Sequence, residues 1–135
     1  MSDILAYLPQ RPPFVMIDSI VNADATASVT NFTIPASNIL VENGYFTESG
    51  LVENMAQTAA AGNTLQAQQT NGTAPVGFIG ALKNLHINQL PLVGQTITTT
   101  VTYGMQVMNA QIVQATIELN GTIIANCELK IFIQQ

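Results

Sequence analysis

Only one stretch of the chain, Gly50 to about Gln69, is long and periodic enough for an extended helix. Nearly everything after Pro75 alternates with period two. One helix must then cover the apolar face of a whole sheet. That predicts an α+β domain with the sheet curved around the helix. Val52, Met55, Ala56, Ala59, Ala60 and Asn63 follow the helical period. Ala59, Ala60, Ala61 and Gly62 make the helix thin enough for other backbone to approach closely. Thr47 or Ser49 is the expected N-cap, with Glu48 at the positive end of the helix dipole.

Before the helix, Ser2 or Asp3 caps a short helical turn through Leu8, and Pro9 ends it. Phe14–Val21 and Ala27–Ile34 read as strands, with Val29 facing away from Phe32 and Ile34. Pro35–Ser49 reads as irregular, and irregular stretches of that length more often carry function than not. After the turn-rich Thr70–Pro75, Val76–Leu90 reads as one long strand or a bulged pair, with Gly77 and Gly80 as bulge sites. Thr96–Val107 places Ile97, Thr99, Val101 and Tyr103 on one face. Gln111–Leu119 does the same for Val113, Ala115, Ile117 and Leu119. Asn120-Gly121 predicts a two-residue type I′ hairpin. Thr122–Ile133 follows, with Ile123, Ala125, Cys127, Leu129, Ile131 and Ile133 inward. The expected plan is two strands, the helix, then four strands in antiparallel succession.

Length and charge limit the function. A chain of 135 residues has enough material for a single domain, 1–135. Lys and Arg total 3 against 8 Asp and Glu, a net charge of −5 with no basic cluster. This argues against a nucleic-acid partner and against binding to anionic membranes. No apolar run approaches the ~20 residues needed to cross a bilayer, and the N-terminus lacks a signal-peptide pattern, so a cytoplasmic protein is expected. One cysteine excludes an internal disulfide, and one histidine excludes a multi-histidine metal site. No metal or cofactor is expected. Thr, Gln and Asn, 39 residues in all, supply most of the polar surface, and a surface so poor in charge favours self-association.

Three residues carry candidate chemistry. Glu53 lies in the first turn of the helix with Gln57 at i+4 on the same face. At the head of an apolar tunnel, desolvation would raise its pKa toward the range useful for acid–base work. Alternatively Glu53, Gln57, Thr64 and Gln68 form a solvated stripe. Parity sends His86 outward with Asn84 and Asn88, and sends Cys127 into the core.

The run Leu8-Pro9-Gln10-Arg11-Pro12-Pro13-Phe14-Val15-Met16-Ile17-Asp18 resembles the opening of the 3-hydroxyacyl-ACP dehydratases of fatty-acid synthesis. Gly50-Leu51-Val52-Glu53-Asn54-Met55-Ala56-Gln57 resembles their central-helix motif, and Pro91-Leu92-Val93-Gly94-Gln95 the turn after their third strand. A closer resemblance, in the opening and over Val41–Gln57, is to a divergent dehydratase-like branch often found with pathways for polyene pigments or unusual acyl chains. The resemblance implies a hotdog fold, edge-to-edge homodimers or larger homo-oligomers, and a hydro-lyase acting on an ACP- or CoA-bound acyl thioester. It places the catalytic carboxylate at Glu53 and the active-site glutamine at Gln57. The family's catalytic histidine has no counterpart here, and Gln10 stands where its opening usually has histidine. Asn38, Asn43 and Tyr45 are the loop groups available in its place. Phe46 and Leu51 join them as substrate-binding candidates, the Leu51 amide as part of an oxyanion-type site. A hotdog thioesterase and a non-catalytic acyl-binding or partner subunit remain as alternatives.

Overall fold

The computed structural model describes residues 3–69 and 76–134, with the side chains of 76–78 and 133–134 outside that description. A 3-10 turn, Ile4–Tyr7, is capped by Asp3, whose carboxylate accepts from the Leu5 amide. Then come β1 (Ser19–Ala23), β2 (Ala27–Thr33), β3 (Val41–Glu42), β4 (Tyr45–Phe46), α1 (Glu48–Gln69), β5 (Val76–Ile87), β6 (Thr96–Val107), β7 (Ala110–Leu119) and β8 (Thr122–Gln134). Six strands form one antiparallel sheet in the order β1-β2-β6-β7-β8-β5, and β3 and β4 form a separate small hairpin. The α+β expectation holds: a six-stranded antiparallel sheet packs against one long helix.

The four strands after the helix are not laid down in succession. β6, β7 and β8 form a meander, but β5 pairs with β8 at the far edge of the sheet. The register of β5 shifts at Gly80, as expected, and again beside Asn84, whose φ is 55°. No shift falls at Gly77, which pairs with Ile133. Asn120 and Gly121 both have positive φ, 52° and 82°, as a type I′ turn requires. β6 and β7 present the expected inner faces. β8 does not alternate cleanly. A shift opposite Ile117/Glu118 makes Ile124 the buried residue and leaves Ile123 exposed, while Ala125, Cys127, Leu129 and Ile131 point inward. Ile133 lies outside the described side chains.

Two segments before the helix differ from expectation. The strand expected over Phe14–Val21 begins only at Ser19, because side chains of α1 take the main-chain groups of Phe14 and Met16. The stretch expected to be irregular, Pro35–Ser49, contains the β3–β4 hairpin. Its turn is Asn43-Gly44, with φ 53° and 83°.

α1 buries Leu51, Asn54, Met55, Thr58, Ala59, Gly62 and Leu65 among others; Val52, Ala56, Ala60 and Asn63 are only half-buried. The buried face is partly polar, and so is the sheet face that meets it: Ser28, Thr30 and Thr99 are fully buried. Each hydroxyl is matched. Thr58 Oγ1 donates to the Asn54 carbonyl, so Thr30 Oγ1 must be the donor in its 2.7 Å bond to Thr58. Tyr103 donates to the Ala59 carbonyl at 2.9 Å and accepts from Ser28 at 2.7 Å. Burial pushes the Tyr103 hydroxyl pKa up, and its bond with Ser28 acts in the opposite direction.

Gly62 sits where α1 crosses Ser28 and Tyr103. A Cβ there would overlap Ser28 Oγ and the Tyr103 hydroxyl and lie 2.7 Å from Ser28 Cβ. Gly62→Ala should therefore destabilise by about 1–3 kcal/mol, overpacking outweighing the ~1 kcal/mol helix-propensity gain. Urea unfolding measures it, and a midpoint at or above wild type would contradict this reading of the crossing.

Cys127 is buried beside Met55, with Sγ 3.7 Å from the Met55 sulfur, and burial pushes its thiol from the ordinary range up to about 11. The raised folded-state pKa means that its contribution to stability is complete below pH ~9 and is lost as pH climbs toward ~11. Alkylation of the folded protein at pH 8 should be slow and should accelerate sharply in denaturant. Rapid modification of the native state would place the thiol outside the core.

Candidate functional site

The site is organised around one residue of the N-terminal segment. The Met16 amide donates to Gln57 Oε1 at 2.7 Å, and the Met16 carbonyl accepts from Asn54 Nδ2 at 2.8 Å. Two side chains of α1, three positions apart, thus satisfy both main-chain groups of a buried residue that no strand partner reaches. Gln57 Nε2 also donates to the Phe14 carbonyl at 2.8 Å and to Glu53 Oε1 at 3.1 Å. Both of its N–H hydrogens are committed, so a flipped amide would place its oxygen against two acceptors. Gln57 and Asn54 are completely buried and Glu53 is half-buried, so the run Glu53, Gln57, Thr64, Gln68 is not a solvated stripe. Glu53 Oε2 has no hydrogen-bond partner among the described residues.

The loop candidates divide. Asn38 lies beside the clamp: its Oδ1 accepts from the Leu40 amide at 2.8 Å and its Nδ2 is 3.2 Å from the Met16 sulfur. Asn43 occupies the corner of the β3–β4 turn, an exposed position suited to a residue that tolerates positive φ. Tyr45 is exposed and bridges to Leu92. Phe46 is fully buried in the core, its ring 5.5 Å from that of Phe32 and directly against Gly50. Leu51 is fully buried as well, and its amide donates to the Thr47 carbonyl at 3.0 Å, so it is not free for an oxyanion. The first-turn amides without an i−4 partner inside the helix belong to Glu48, Ser49 and Gly50. The hydroxyl of Thr47 donates to the Leu40 carbonyl and fastens the loop to the helix start.

His86 is exposed on the edge strand β5, as its parity predicts. Among the described residues no three His, Cys, Asp or Glu side chains gather as metal ligands, and no helix is long and apolar enough to cross a membrane. Sequence reasoning passed over Asn54 and Thr99, whose hydroxyl donates to Asn54 Oδ1. The available signal was an amide residue on the apolar stripe of α1 and a threonine on the inner face of β6.

A six-stranded antiparallel sheet on one long helix defines a hotdog protein. The chain belongs to the ApeP-like family: residues 2–135 match the model described as "ApeP dehydratase". It is 30% identical over 132 residues to the 3-hydroxyacyl-[acyl-carrier-protein] dehydratase FabZ of Brucella ovis, covering 93% of this chain and 83% of that protein. Among solved structures it is similar to the dehydratase heterocomplex ApeI:P from Xenorhabdus doucetiae, with a TM-score of 0.88 and 14% identity, over 98% of this chain and 91% of that one. It is also similar to a hypothetical thioesterase with coenzyme A from Streptococcus pneumoniae, with a TM-score of 0.70 and 11% identity, over 86% of this chain and 84% of that one.

Proposed function

We propose that the protein is a 3-hydroxyacyl-thioester dehydratase subunit in which Glu53 is the acid–base group. The observation that carries this reading is the Gln57–Glu53 bond: a fully buried, fully engaged amide holds one carboxylate oxygen and leaves Oε2 for the reacting proton. Elimination of water moves two protons. One leaves C2 of the acyl chain, and the C2–H electron pair becomes the C2=C3 bond. The C3–O bond breaks as that double bond forms, and the hydroxyl departs as water with a second proton. Glu53 Oε2 takes the C2 proton.

The acid for the leaving hydroxyl is a separate group, and the one histidine of this chain is remote in sequence and exposed on an edge strand. In this reading the second group comes from water or from a companion chain. The relative solved as a dehydratase heterocomplex supports the companion. Asn38, beside Met16, faces the acyl thioester in this reading. The carrier is ACP or CoA, and the chain associates with itself or with a companion through a sheet edge, β1 or β5.

The test is turnover of 3-hydroxyacyl and 2-enoyl thioesters of several chain lengths, by the protein alone and with a histidine-bearing dehydratase of the same cell. Formation of the enoyl thioester supports the proposal. Free thiol without enoyl product would make the protein a thioesterase. Acyl-thioester binding without turnover in either preparation would make it a non-catalytic partner subunit, the reading that the missing histidine favours.

A further inference from the structure

Thr99, on the inner face of β6, donates its hydroxyl to Asn54 Oδ1, and both residues are completely buried. Asn54 turns its amide nitrogen to the Met16 carbonyl. Met16 presents its own N–H to Gln57 Oε1, and Gln57 hands its remaining hydrogen to Glu53 Oε1. The five residues form one continuous chain of hydrogen bonds from the sheet, through the N-terminal segment, to the carboxylate. A second tie holds the same helical turn: the Asn54 carbonyl accepts from Thr58, which accepts from Thr30 on β2.

We propose that Asn54, anchored by Thr99, is a positioning residue that sets the location of the Glu53 carboxylate through Met16 and Gln57. The reasoning is geometric. An asparagine amide is a rigid plane whose oxygen and nitrogen are fixed relative to each other. With Thr99 holding the oxygen, the nitrogen can meet the Met16 carbonyl in only one place. That fixes where the Met16 N–H and the Phe14 carbonyl meet Gln57. Because Gln57 has no spare hydrogen, its orientation follows from those two main-chain groups, and the hydrogen aimed at Glu53 follows with it. Linked buried hydrogen bonds act as a unit. Removing the Thr99 hydroxyl frees the Asn54 amide to rotate and loosens every later link, although Thr99 touches neither Gln57 nor Glu53 by any hydrogen bond. The catalytic part of this inference rests on the dehydratase reading of Glu53; the positional part does not.

The experiment uses the full chain and the variants Thr99→Val, Thr99→Ser and Asn54→Ala. The side-chain amide hydrogens of Gln57 are followed by 15N NMR, assigned by their disappearance in Gln57→Leu, beside melting curves and steady-state kinetics. In wild type and Thr99→Ser these hydrogens should exchange slowly. In Thr99→Val and Asn54→Ala they should shift and exchange at least tenfold faster while melting stays cooperative. Where the wild type turns over, kcat should fall about tenfold in both with KM nearly unchanged, and Thr99→Ser should restore it. Unmoved Gln57 signals in both variants would overturn the proposal, whatever the kinetics. Moved signals with unchanged kcat would overturn its catalytic consequence. Loss of cooperative melting in both would reduce Asn54 to a folding determinant and overturn it too. A wild type without turnover, both alone and with the companion dehydratase, whose Gln57 signals still respond to Thr99→Val would sink the dehydratase reading while supporting the positioning chain.

Discussion

Glu53→Gln should lower dehydratase turnover by 10²- to 10⁴-fold and leave the melting temperature within about 2 °C of wild type. The loss is that expected for removing a positioned acid–base group. The unchanged stability follows from the surroundings. A glutamine at 53 still offers an oxygen to Gln57 Nε2, so the buried hydrogen bonds of Gln57 to Phe14 and Met16 keep their partners. The substitution removes no hydrogen-bond partner and changes no volume in the core, so none of the usual causes of a large stability loss applies. Turnover and melting must be measured on the same preparations. Full activity in a folded variant would remove Glu53 from the chemistry. A large fall in melting temperature would mean that the carboxylate supports the fold in a way that its single hydrogen bond does not explain.

Gln57→Leu should have the opposite profile, a large loss of stability. Leucine has a similar volume and no polar atoms, so the Met16 amide and the Phe14 carbonyl lose their partner together. Each unpaired buried group costs about 1–3 kcal/mol, partly offset by burial of the leucine, for a net loss of ~2–4 kcal/mol. Gln57→Glu should be no better. It keeps an acceptor for Met16 but sets a second carboxylate against Glu53 and faces the Phe14 carbonyl with an acceptor. Urea unfolding of the two variants checks this. A midpoint change worth less than ~0.5 kcal/mol for Gln57→Leu would show that the Phe14–Met16 segment is held by something other than the helix. Activity should fall in both variants as well, so stability distinguishes Gln57 from Glu53.

The sheet was readable where side chains alternate and turns are short. Ile97–Tyr103 and Val113–Leu119 follow period two without a break, and Asn120-Gly121 marks its hairpin. The same dipeptide at Asn43-Gly44 was passed over because its strands, Val41–Glu42 and Tyr45–Phe46, are too short to show a period. Pairing of β5 with β8 is a long-range choice that no local pattern carries. The bulge at Ile123–Ile124 puts two isoleucines in succession, and composition alone does not say which is buried. Phe14–Asp18 looks like a strand because it is apolar, yet its main chain is satisfied by amide side chains some forty residues later. Glu53 and Gln57 stand out by i+4 spacing. Asn54 and Thr99 do not, since a polar residue on an apolar face reveals its partner only once the chain has folded.

The grip on the N-terminal segment engages main-chain atoms alone: the Phe14 carbonyl and the Met16 amide and carbonyl. Hydrogen bonding from α1 therefore follows the path of this segment, while its spelling matters at Met16 and Ile17, which are buried in the cores that α1 lines. Position 14, 57% exposed, is free to drift among many residue types during evolution without disturbing the carboxylate. Position 16 is barred to proline, which has no hydrogen to give Gln57. The trajectory of the opening is thus set by the pair of amides on the helix, Asn54 and Gln57, whatever side chain stands at position 14.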